Sequence, residues 1–174
     1  QSYFELSKAQ INSSSLFTKT INYFYDTIPY LQQVPIGILN FEYAKIDSNA
    51  FSIGRLYYTN DTLYEDTLIG ISSYKIDTTL IISPLLNYIV GDSILFTISS
   101  DFIFSNISNI SGFEIDFDDG MGYRTCSLTN SSFQINYIND GLKILKFRIS
   151  LQNNNIIEKN AKILYKSQEL TALE

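Results

Sequence analysis

Three acids and two glycines share seven residues, Asp116 to Gly122, in "DFDDGMG". Carboxylates this close suit two kinds of chemistry. They can hold a hard cation such as calcium, or they can work as a general acid and base. For calcium, Asp116, Asp118 and Asp119 offer oxygen ligands, with Asp140 as a distant fourth, although the spacing is not that of an EF-hand loop. For glycoside hydrolysis two carboxylates must stand at a defined separation. Asp116 and Asp118 alternate with Phe113, Ile115 and Phe117, so both are expected to face water from a strand. The simplest reading is a turn. Asp119 bonds to nearby backbone, Gly120 accepts a positive φ, and Gly122 permits a further bend. The expectation is therefore no catalytic, cofactor-binding or metal-binding residue, with a calcium ion near Asp116, Asp118 and Asp119 left open.

The rest of the chain narrows the chemistry further. Histidine is absent, which removes Ser-His-Asp and Cys-His catalysis and the commonest zinc ligand. The single cysteine, Cys126, forms no intrachain disulfide and reads as a small buried hydrophobe on a strand. No "GxxxxGKS" or "GxGxxG" loop is present to cradle phosphate. The net charge is −6, with no basic cluster, so neither nucleic acid nor an anionic membrane surface is an expected partner. The most apolar run, Leu80 to Val90, is too short to span a bilayer and is interrupted by Pro84 and Asn87. The sequons at Asn12, Asn60, Asn106, Asn109 and Asn130 carry no weight in a chain so rich in Asn, Ser and Thr.

The elements around the acidic turn read as strands. Tyr and Phe are abundant, and both suit a pleated, half-buried surface. Ile94, Phe96 and Ile98 alternate along one segment, and Phe113, Ile115 and Phe117 along the next. The pattern returns in Phe133, Ile135 and Tyr137, then in Leu145, Phe147, Ile149 and Leu151. "IIEKNAKILYK" follows a turn at Asn153 to Asn155 and reads as the last strand. Upstream, Leu39, Phe41 and Tyr43 are expected on one face of a strand, and Asn60-Asp61 at the tip of a hairpin. "DTTLIIS", Asp77 to Ser83, reads as a further strand. Residues 1–35 are the hardest to place. A short helix or irregular segment is expected there, carrying an aromatic cluster of Tyr23, Phe24, Tyr25 and Tyr30. The organisation expected is an N-terminal region over 1–83, partly irregular and then β, a β-sandwich over 84–166, and a frayed tail over 167–174. The start at Gln1, without an apolar leader, is read as that of a processed or excised fragment.

The segment from about Pro84 to Lys166 resembles a PKD domain, an immunoglobulin-like antiparallel β-sandwich. Gly91 stands before "SILF", Ile115-Asp116-Phe117-Asp118-Asp119-Gly120 stands at the family's W-D-F-G-D-G signature, and Ile135-Asn136-Tyr137, Gly141, Leu145 and Phe147 follow in order. Ile115, Asp118, Ile135 and Lys143 replace the family's usual Trp, Gly, His and Tyr. The resemblance implies that Tyr137 takes a tyrosine-corner position, its hydroxyl tying down a loop. It also implies a non-catalytic module of a larger secreted or cell-surface protein, of bacterial envelope type. Such a module is a spacer or binds protein or glycan, its partners including neighbouring domains. A carbohydrate-binding module is the alternative, weakened by the absence of Trp, and a small carboxylate-based hydrolase is a third reading.

Overall fold

The computed structural model describes residues 33–67, 70 and 72–168. The expected N-terminal helix or irregular segment, its aromatic cluster and the end of the tail lie outside these residues. The described chain is nearly all β and divides into two compact units. Residues 33–40 and 80–168 belong to the larger, and Phe41–Thr79 to the smaller.

The larger unit is a sandwich of two sheets. Strands are numbered in chain order. In the first sheet β10 (Asn130–Ile135), β6 (Ile94–Ser99), β1 (Val34–Ile46) and β4 (Tyr74–Pro84) follow one another, β1 from residue 41 and β4 up to residue 79 being counted with the smaller unit, and β7 (Ile103–Ser105) also pairs with β1. In the second the order is β5 (Tyr88–Val90), β12 (Ile156–Lys166), β11 (Gly141–Leu151), β8 (Ile110–Asp116) and β9 (Tyr123–Thr125). Alternation decides which side chains meet. Ile94, Phe96 and Ile98 of β6, with Ile135 of β10, line the first sheet's inner face. Phe113 and Ile115 of β8, Leu145, Phe147 and Ile149 of β11, and Ile163 and Tyr165 of β12 line the second's. All belong to one hydrophobic cluster, and each large apolar side chain removed from water contributes about 1.5–3 kcal/mol. The antiparallel register runs through ten pairs from Gly141↔Tyr165 to Ser150↔Ile156, which fixes every inward residue on that face.

Two features differ from the sequence expectation. The sandwich takes a strand from upstream of residue 84: Val34, Ile36 and Ile38 of β1 lie in the core cluster. Their parity is opposite to that of Leu39, Phe41 and Tyr43, the residues expected to form the apolar face, of which Phe41 is fully buried but outside this cluster. Both faces of this strand are apolar near residue 38, so alternation alone does not choose between them. Second, the sandwich is not purely antiparallel. β1 runs parallel to β6 and to β7, and β5 runs parallel to β12. Asn40 is buried and donates from Nδ2 to Asn109 Oδ1 at 2.8 Å, satisfying an amide that would otherwise be costly inside.

The smaller unit contains the expected hairpin. β2 (Leu56–Thr59) pairs with β3 (Thr62–Glu65), and Asn60 and Asp61 hold φ of 50° and 60°. Two consecutive positive φ values make the turn that matches strand twist, and Asn and Asp tolerate them best among residues with a Cβ. Tyr57 lies opposite Tyr64 with ring centres 5.8 Å apart, and Phe51 stacks on Tyr58 at the same distance. Beneath the hairpin, Arg55 is buried. Its Nε donates to Ser73 Oγ at 3.1 Å, Nη1 to the Asp66 carbonyl, and Nη2 lies 3.3 Å from the Glu65 carboxylate. A buried guanidinium is tolerable only when its donors are used in this way.

Candidate functional site

The turn after β8 is where the sequence placed its possible chemistry. Phe117 is fully buried and anchors the turn from below, its ring 5.0 Å from Phe96 and 5.2 Å from Phe133. The backbone then reverses through Asp118 (φ 63°), Gly120 (φ 83°) and Gly122 (φ 73°). Positive φ at Gly120 is what the sequence reading expected, and Gly122 makes its further bend with a positive φ as well. Asp118 adds a third left-handed residue, which a short polar side chain can adopt.

Each carboxylate has a separate task. Asp116 accepts the Asp118 N–H at 2.9 Å and lies 3.3 Å from Lys146 Nζ, its register partner on β11. Asp118 accepts the Ile144 N–H at 3.0 Å, stitching the turn to β11. Asp119 accepts the Met121 N–H at 3.2 Å and forms an ion pair with Arg124. Asp140 accepts the Ser167 N–H at 2.8 Å, and that bond holds its carboxyl below the usual carboxylate range. The four acids therefore do not converge. Among the described residues no group of three or more His, Cys, Asp or Glu is arranged to hold a metal ion.

Exposure departs from expectation at Asp116, and Asp119 is covered as well. The Asp116 and Asp119 side chains retain only 14% and 9% of their accessible surface, because Lys146 and Arg124 lie over them. Asp118 is exposed, as the alternation indicates. The Arg124 guanidinium also sits 5.4 Å from the centre of the Phe117 ring, a cation–π geometry. Neither Arg124 nor Lys146 is marked by a local motif. Each reaches its acid through strand pairing.

Tyr137 does tie down a loop, but it is the turn after β8 and not backbone a few residues upstream, as a tyrosine corner would have it. Tyr137 is buried, and its hydroxyl donates to the Phe117 carbonyl at 2.8 Å, across twenty residues of sequence. Burial is the main reason its phenol is held above the usual range, and the charges of Asp119 and Asp118 add to it. Lys143 Nζ lies over the same ring at 4.9 Å. Cys126 is buried one residue past the end of β9, and its thiol donates to the Arg124 carbonyl at 3.3 Å. Burial pushes this thiol up to about 11, so it stays protonated and weakly nucleophilic at neutral pH. The Asp118 and Tyr137 bonds hold the turn to β11 and to the core. The turn's polar groups bond to one another and to the backbone.

The left-handed backbone gives a direct test. No atom lies within 4 Å of a Cβ added at Gly120, so substitution there strains the backbone without crowding a neighbour. Gly120→Val should cost about 1–3 kcal/mol in urea unfolding. Gly120→Asn should cost less, since Asn visits this region more readily. Equal losses for the two would remove the backbone explanation.

No protein-family model matches the chain, and no curated protein is significantly similar to it. Among the described residues no helix is long and apolar enough to cross a membrane.

Proposed function

We propose that this chain is a PKD-like, immunoglobulin-type module of a larger secreted or surface protein of the bacterial envelope. In this reading it is non-catalytic and serves as a spacer or as a protein- or glycan-binding domain. The observation that carries the proposal is the Tyr137–Phe117 hydrogen bond, which closes the signature turn from the opposite side of the core. The strand order supports it. In the second sheet β12, β11 and β8 lie side by side, as the last strand and its two neighbours do in an immunoglobulin-type sheet. The acids support the non-catalytic part, because each is occupied by a backbone N–H or a cation.

The expected result is no turnover by the purified chain on peptide, ester or glycoside panels, with or without calcium. Hydrolysis that is reproducible and lost in Asp119→Asn would overturn the proposal. A second reading, carbohydrate binding, is favoured by the hairpin of the smaller unit. Tyr57, Tyr58 and Tyr64 there expose 46%, 65% and 46% of their surface, and tyrosine faces can stack on sugar rings. Glycan-array binding lost in Tyr58→Ala and Tyr64→Ala would support this second reading over a plain spacer.

A further inference from the structure

Strands at the border of a sheet are normally blunted by shortness, charge, proline or a bulge, because their outward N–H and C=O groups invite another strand. Most borders here follow that rule. β5 and β9 are three residues each, β3 ends on Glu65, and β4 carries Lys75 and Asp77 and closes on Pro84. β10 does not. Its six residues, Asn130–Ile135, hold no charge and no proline, and they pair with β6 through six consecutive positions without a bulge. Among the described residues β6 is its one strand neighbour. Half of its main-chain groups therefore point away from the sheet.

We propose that β10 is a self-association edge, pairing antiparallel with β10 of a second copy about a two-fold axis. This rests on the edge itself and not on the family reading above. Three observations select a second copy as the occupant. The strand is neutral in a chain of net charge −6, so two copies can approach there without opposing like charges. An antiparallel pair of identical strands is self-complementary and closed, giving a dimer and not a fibre. The third is Phe133, which is only partly covered although its ring lies 5.2 Å from buried Phe117, itself 5.0 Å from Phe96.

An axis through Phe133 keeps the inner faces of both sheets on one side. It sets Phe133 against its own copy, Ser132 against Gln134, and Ser131 against Ile135. The aromatic row Phe96–Phe117–Phe133 then continues across the junction, and an aromatic cross-strand pair is a favourable one. The first sheet would run unbroken from one copy into the other.

The test is sedimentation velocity on the full chain over a wide concentration range at low salt. The expected behaviour is a reversible monomer–dimer equilibrium. Ser132→Lys combined with Gln134→Lys places like charges opposite one another in this register and should weaken the dimer roughly tenfold or more. Ser132→Lys combined with Gln134→Glu places opposite charges there and should restore it. Both variants equally lose the Gln134 Nε2 bond to Ser93 Oγ, so stability changes from that loss cancel in the comparison. A chain that stays monomeric throughout, one that forms larger open assemblies, or a dimer to which both double variants do the same would overturn the proposal.

Discussion

Phe117→Ala is expected to lower the unfolding free energy by about 3–5 kcal/mol, the range for truncating a buried aromatic. The residue is fully buried and lies between the sheets, with Phe96 and Phe133 of the first sheet on its ring. Truncation leaves a cavity whose walls belong to strands pinned by long ladders, so little collapse can fill it. It also removes the face under Arg124. The backbone carbonyl that accepts Tyr137 remains, but the anchor that positions it is gone. Asp116→Ala, one residue earlier, removes an ion pair at the surface and one short-range hydrogen bond, and should cost about 1 kcal/mol. Urea melts of the two variants check this. Small, equal losses would mean that the strand faces the other way.

A still larger effect is expected from removing the upstream strand. A chain beginning at residue 84 lacks Val34, Ile36 and Ile38 of β1 and Ile82 of β4, all members of the core cluster. Four buried side chains at about 1.5–3 kcal/mol each come to roughly 6–12 kcal/mol. That is comparable with the whole stability of an ordinary domain, about 5–15 kcal/mol. Such a fragment should show no cooperative unfolding by circular dichroism. In the full chain, Ile36→Ala alone should cost about 2–5 kcal/mol. A fragment from residue 84 that melts cooperatively would show that β1 is dispensable to the sandwich.

The parts of the fold legible in sequence were those written in strict alternation. Phe113, Ile115 and Phe117, or Leu145, Phe147 and Ile149, leave one choice of face, because the intervening residues are polar or charged. Asn60-Asp61 was legible because few other residue pairs tolerate two positive φ values. The placement of β1 was not legible. Apolar residues occupy both parities between Ile36 and Phe41, and its partners β6 and β7 lie some sixty residues downstream. Local pattern cannot state a parallel pairing across that distance. At the turn, the glycines and the buried aromatics were foreseeable. The covering of Asp116 by Lys146 and of Asp119 by Arg124 was not, since each depends on the register of a neighbouring strand.

The parallel pairing of β5 with β12 has a mechanical consequence. Tyr88, Ile89 and Val90 lie beside Leu164, Tyr165 and Lys166, and hydrogen bonds from Leu164 to Asn87 and from Gly91 to Lys166 bracket these rungs. Tension that draws the start of β5 one way and the end of β12 the other acts along both strands. It runs across the evenly spaced, slanted bonds that join them. The rungs then share the load and must yield together, whereas an antiparallel hairpin pulled at its open end peels apart one rung at a time. A load applied at those two points would therefore fall on all three rungs at once.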